Sequence, residues 1–340
     1  MSETETRIQA LLQAALDNNQ QVEAIRLALK LGDRRFASGK FERALDNFTL
    51  STRLCREAMD DTCLTESIYK LAETYLMLKQ ADKALLRVKR SLELSEPERD
   101  AFWIARLWAL LGDIHQSQGK LDEAQVDYTQ AAKRLQDTEQ WAEAGLALGK
   151  QATLLMDSEE NQKATVLFAQ SITLFEKAGR PELKMRGLGN LGTAFGKLGR
   201  WKEAGKRHNL AMKLARQLKD REEEAFQLSN LGYVAEMDGE IEWAVRFYQQ
   251  GLYVAILEDI RRMAADLSFD LARLLMADNR HIPQVIVLLE AVLGVTPKHE
   301  TAAAMLREAR QRQIMLTAQG VPMMPAVNDL RLWSSRAYDG

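Results

Sequence analysis

The 340-residue sequence is poor in the residues that break helices and in those that staple small folds. It has six prolines, two cysteines and four histidines. Six prolines leave room for long uninterrupted helices, since each proline in a helix interior would cost about 3 kcal/mol. Cys55 and Cys63 are too few for a disulfide scaffold, and two reduced thiols are expected. No apolar run approaches the roughly 20 residues of a membrane-crossing helix, so no membrane insertion is expected. The opening stretch, MSETETRIQALLQAALDNNQ, carries early acids and no apolar secretory core. No signal peptide is expected, and the compartment that fits is the cytoplasm. Charge of one sign is also missing. The net charge is −2 and the pI about 6.2, which argues against nucleic acid as a main partner.

Catalytic patterns are missing as well. There is no H-E-x-x-H, no paired C-x-x-C, no phosphate-cradling G-x-x-x-x-G-K-S/T and no G-x-S-x-G elbow. The four histidines are scattered. His115 and His208 fall on positions expected to pack in a core. No cofactor, metal or catalytic residue is indicated, and the chain reads as a non-enzyme.

What is present is a period. NLGTAFGKLGRWKEAGKRHNLA, from Asn190 to Ala211, returns from Asn230 to Gly251 as NLGYVAEMDGEIEWAVRFYQQG. Stepped by 40, the Ala204 position reads Ala44, Ala84, Ala124, Ala164, Ala204, Ala244 and Gln284. The Ala211 position reads Ser51, Ser91, Ala131, Ser171, Ala211, Gly251 and Ala291. The Gly192 position holds only Gly or Ala: Gly32, Ala72, Gly112, Ala152, Gly192, Gly232 and Ala272. Leu191 recurs as Leu in six of seven places, with Gln151 the exception. A second Gly, as at Gly39, Gly119, Gly199 and Gly239, marks a turn suited to positive φ. Small residues in register let helices approach closely, and apolar residues between them recur at helical spacing. Each unit reads as helix, tight turn, helix. A single pair cannot bury both faces, so the pairs stack.

With Leu191, Gly192, Phe195, Gly199, Trp201, Ala204 and Ala211 at its signature spacing, the array resembles the tetratricopeptide family. Its 40-residue unit is longer than the usual 34. In that respect it is similar to kinesin light chains and Pins-like spindle-orientation adaptors, the run LARQLKDR from Leu214 being the closest local likeness to the latter. The resemblance implies an all-α, right-handed α-solenoid of about seven helix-turn-helix repeats with capping helices. Residues 1–21 would form an N-terminal cap, 22–298 the array, 299–316 a C-terminal cap and 317–340 an extended tail. Repeat four is the poorest match. Its polar turn Asp157–Asn161 is a drifted repeat or a joint, and drift is the simpler account.

The resemblance also places function on the concave face, lined by the first helix of each pair. Residues six before, two before and one after the signature Gly point there: Arg26, Lys30, Asp33, Lys70, Glu73, Arg106, Asp113, Lys150, Arg186, Asn190, Asn230 and Tyr233. Asn190 and Asn230 offer donor and acceptor together and suit the backbone of an extended peptide. The Lys-and-Asn clamp with which some relatives capture chaperone tails is missing, since no repeat carries both residues at the required places. Trp103 is a candidate surface anchor or a core residue, and Trp108 a core residue. The tail holds Leu330, Leu332, Trp333 and Tyr338, too apolar to serve only as solvated chain. It would dock on the array or engage another protein, self-association included. The expected function is a protein-interaction adaptor binding a peptide or helix. The alternatives are a structural or assembly subunit using its convex face and tail, and a ligand-responsive regulator.

Overall fold

The structure, a computed structural model, describes residues 3–94 and 101–338. It contains α-helices and one short 3₁₀ turn, with no strand among the described residues. Two compact units divide at Ser158 and Glu159, inside the polar turn of repeat four.

The first unit holds α1 (Glu3–Asp17), α2 (Gln21–Ala37), α3 (Phe41–Glu57), α4 (Asp61–Met77), α5 (Ala81–Leu94), α6 (Ala101–Ser117), α7 (Leu121–Asp137) and α8 (Trp141–Asp157). The second holds α9 (Asn161–Lys177), α10 (Pro181–Lys197), α11 (Trp201–Leu218), α12 (Arg221–Met237), α13 (Ile241–Leu257), α14 (Arg261–Leu275), α15 (Ile282–Val295), α16 (Glu300–Ala318) and α17 (Leu330–Tyr338). Within each unit successive helices pack on one another, as far as α16. Each unit is therefore a run of stacked helix pairs, as an α-solenoid requires. Pro97, near the end of repeat two, lies outside the described residues.

The turns show a finer period than the repeat. A left-handed residue stands at each described twentieth position: Asn19, Gly39, Met59, Lys79, Gly119, Glu139, Glu159, Gly179, Gly199, Lys219, Gly239 and Asp259. Both turns of each repeat are thus built alike. At the end of α2, Gly39 N–H bonds to Phe36 C=O and Lys40 N–H to Arg35 C=O, at 2.9 and 2.8 Å. This double closure satisfies carbonyls that the last helical turn leaves free. The rule lapses in repeat seven, where Asn279–His281 forms a 3₁₀ turn and Pro283 opens α15.

Gly rather than Ala at several signature positions has a steric cause, although the residue sixteen beyond Ala152 is the buried Phe168. A Cβ on Gly32 would lie 2.4 Å from Phe48, one on Gly112 2.6 Å from Tyr128, and one on Gly232 2.4 Å from Tyr248. Each of these rings is buried. Where the residue sixteen on is aliphatic, as Val88 and Leu288, the position is Ala72 or Ala272, and each Ala shares a core cluster with its partner.

Both caps form. Ile8, Leu12 and Ala15 of α1 join Ala24, Ile25 and Ala28 in one cluster, while Leu11 is half exposed. Ala302, Leu306 and Ala309 of α16 are buried, and Arg307, Glu308 and Arg310 face out.

Two expectations need correction. Cys55 and Cys63 are joined as a disulfide across the turn between α3 and α4, their Cα atoms 5.7 Å apart. The tail is not extended throughout: after an irregular stretch at 321–329 it forms α17, which packs on α13. Periodicity missed this helix because it spans only nine residues and docks by tertiary contact. Leu330 and Trp333 pack on the core of the last repeats, whereas Leu332 stays exposed. Tyr338 ends the helix, and its side chain lies outside the described residues.

Candidate interaction site

The repeat sets the geometry of the candidate face. Equivalent helices stand one repeat apart, and side chains on successive first helices meet with a step of three positions. Contacts therefore recur at a sequence separation of 37. Lys70 on α4 donates to Asp33 on α2 at 2.6 Å, and Lys150 on α8 to Asp113 on α6 at 2.6 Å. Arg106 on α6 donates to the Tyr69 hydroxyl on α4 at 3.1 Å. Its guanidinium lies 4.4 Å from the centre of the Tyr69 ring and 5.1 Å from that of Trp103. The Tyr69 hydroxyl in turn donates to the Glu73 carboxylate at 3.0 Å. Burial pushes the Tyr69 phenol well above its ordinary range, with the Glu73 charge acting in the same direction. Asp113 also accepts from Tyr128, at 2.7 Å.

In the first unit, then, four of the eight expected groove charges pair with one another, and Arg106 and Glu73 meet at the Tyr69 hydroxyl. Arg26 is engaged too, by Glu23 one turn back on its own helix at 2.5 and 2.8 Å. Lys30 is exposed and makes no hydrogen bond to a described residue. Trp103 is half-buried against the α4–α6 core, edge-on to Phe102 at 5.1 Å, and so is less an anchor than a wall of the Arg106 seat.

The second unit differs. The equivalent rung would run from Asn230 on α12 to Thr193 on α10, but the Thr193 hydroxyl bonds instead to Gly189 C=O at 3.2 Å. Asn190 is exposed and Asn230 half-buried, and neither amide hydrogen-bonds to a described residue. Arg186 is exposed one turn before Asn190. Tyr233 is 51% exposed, its ring edge-on to Trp201 at 6.2 Å. Gln227 fixes the spacing of the two helices. Its amide fills the space a Cβ on Gly189 would take, 2.8 Å away, and bonds the buried His208 ring at 2.8 Å. Burial holds the His208 pKa below its ordinary value, opposed by the Gln227 bond. His115 is likewise a core ring, bonded to Asp127 at 2.6 Å.

One rung was missed. Arg273 on α14 forms a two-pronged pair with Glu236 on α12 at 2.5 and 2.7 Å, and Tyr248 adds a third bond to that carboxylate at 3.3 Å. These bonds hold the Glu236 carboxyl below the usual range, Arg273 first among the causes. Arg273 stood at a frame position, so stepping back by 37 would have found its partner. Gln284 was noted only as a break in the small-residue rule. Its amide grips the tail in both directions: it donates to Val327 C=O at 3.3 Å and accepts from Val327 N–H at 2.8 Å. Met324 N–H adds a bond to Arg280 C=O at 2.8 Å.

No protein-family profile matches the chain, and no curated protein sequence does. Solved structures do match. A signal-transduction ATPase with a tetratricopeptide repeat sensor, from Pyrococcus horikoshii, superposes with a TM-score of 0.63 at 13% identity, covering 99% of this chain and 52% of that one. The C-terminal part of a TPR repeat-containing protein from Cytophaga hutchinsonii gives 0.55 at 14% identity, over 82% of this chain and 99% of its own. The chain has the tetratricopeptide-repeat fold. BtubC (BKLC) from P. vanneervenii shares this repeat architecture with a TM-score of 0.57 at 17% identity, over 67% of this chain and 92% of that one. The repeat chain spans about half the length of the Pyrococcus protein, 52%. No group of side chains fit to hold a metal ion occurs among the described residues, and no described helix is long and apolar enough to cross a membrane.

Proposed function

We propose that the protein is a non-enzymatic interaction module that holds an extended peptide segment of a partner protein on the α10–α12 face. One contrast carries this reading. Lys70 and Lys150 are closed by Asp33 and Asp113, while Asn190 and Asn230 stay open at the same frame positions. Each free amide supplies one donor group and one acceptor, the complement of a peptide unit. The Gln284 amide already makes such a two-way bond to main chain within this molecule. Arg186 beside them favours a segment carrying an acid, and Tyr233 offers a flat apolar contact. Assembly through the tail is the weaker reading, because Leu330 and Trp333 are already packed within the chain.

The test is to identify the bound segment by crosslinking from photoreactive groups at Asn190 and Asn230, then measure its affinity. Replacing both Asn by Ala is expected to weaken it about 5- to 150-fold, from about 1–3 kcal/mol of lost hydrogen bonding. Unchanged affinity would remove these amides from the site.

A further inference from the structure

Beyond that face, the last repeats form a second site, partly open to the surface. A cavity of about 190 Å³ lies between α13, α14 and α15, lined by Leu252, Ala255, Ile256, Ala264, Ala265 and Val295 and faced by Leu330 from the tail. Within that lining, Ser268 is the one uncharged polar side chain. The residue is 1% exposed, and its hydroxyl has no hydrogen-bond partner among the described residues. Asp259 and Arg261 stand at the mouth, exposed and paired with each other at 3.0 Å.

A comparable hollow of about 230 Å³ lies at the equivalent place in repeat one, lined by Ala15, Leu16 and Ala24, but there the place of Ser268 is Ala28. One period before the cavity of the last repeats, the places of Ala264 and Ile256 are taken by Glu224 and Arg216, bonded at 2.7 Å, with Arg221 closing on the same buried carboxylate at 2.5 Å. The place of Ser268 is Ala28, Ile68, Trp108, Leu148, Leu188 or Leu228 in every other repeat. The last repeat has neither that ion cluster nor the apolar side chain. What remains is an apolar hollow with one unpaired hydroxyl and a lid from the tail.

We propose that this cavity is a binding site for a small, neutral, largely apolar molecule, of about one aromatic ring, carrying a single hydrogen-bonding group directed at Ser268. The size fits: an apolar cavity of about 150 Å³ stays dry and takes up benzene. Neutrality follows because no unpaired charge faces the interior, so a charged guest would lose its hydration without compensation. A guest touching Leu330 binds better while the tail is seated, so occupancy and tail docking favour each other.

Phenol and benzene are suitable probes on the full chain, with affinity by calorimetry and position from methyl shifts of Ile256, Val295 and Leu330. Both are expected to bind saturably and to slow proteolysis of residues 319–329. Ser268→Ala should weaken phenol about 2- to 12-fold, the range of one net hydrogen bond, and leave benzene unchanged. Ala291 on α15 also lines the hollow, and Ala291→Phe, which fills it, should abolish both. Should that variant misfold by far-UV circular dichroism, the selective effect of Ser268→Ala decides. Absence of saturable binding, shifts elsewhere than these methyls, or equal loss of both probes in Ser268→Ala would overturn the proposal.

Discussion

Gly232→Ala tests the packing logic of the whole array. The added Cβ would lie 2.4 Å from two carbons of the Tyr248 ring and 2.9 Å from a third. Tyr248 is 1% exposed and its hydroxyl is tied to Glu236, so the ring has little room to withdraw. Overpacking of this kind costs about 2–3 kcal/mol. Replacing a mid-helix Gly returns about 1 kcal/mol of helix propensity. The expected net loss is about 1–2 kcal/mol, read as a lower urea midpoint by far-UV circular dichroism. The partner variant Tyr248→Leu copies the pairing of Ala272 with Leu288. In the double variant the clash disappears while the propensity gain remains, so the cycle should show about 2–3 kcal/mol of favourable coupling. Gly149→Ala is the control. Nothing lies within 4 Å of its Cβ, so only propensity acts and the midpoint should rise. A stable Gly232→Ala protein, or a cycle without coupling, would refute the argument that rings set the Gly positions.

Other expectations follow from single features. Lys79 holds φ +59 at a turn where four other repeats carry Gly, so Lys79→Gly should raise the urea midpoint by the equivalent of about 0.5–1 kcal/mol. His208 is held neutral by burial, so its folded pKa lies below its unfolded value near 6.5. The unfolded chain then binds the proton first, and stability is lost as pH falls below about 6.5, with a slope of at most about 1.4 kcal/mol per pH unit. His208→Gln should flatten that part of the pH–stability curve, and an unchanged slope would point to other groups. Reducing Cys55–Cys63 frees a loop with a sequence separation of 8. The expected loss is about 2–3 kcal/mol, seen as a lower midpoint and faster amide exchange at the α3–α4 turn. Gln284→Ala breaks both main-chain bonds to Val327 and should speed proteolysis of residues 319–329 without shifting far-UV circular dichroism.

Much of this was legible before any coordinates. The paired helices, both caps and the burial of His115 and His208 follow from a local pattern of small and apolar residues. The candidate face was legible as a set of positions but not as a set of states. Lys70 and Asp33 were both on it, yet nothing in either residue says that they meet. Their contact depends on a three-position step between α2 and α4, which lie one repeat apart and meet only through tertiary packing.

By itself the sequence determined the repeating ruler and the paired helices it spaces, because helix formation and close approach depend on residues near one another in the chain. Only the tertiary structure decided which groove charges neutralise each other, that Cys55 reaches Cys63, that the tail folds back onto α13, and that the last repeat keeps a hollow. Those outcomes rest on distances between elements far apart in sequence, which a periodic pattern leaves free and three-dimensional packing fixes.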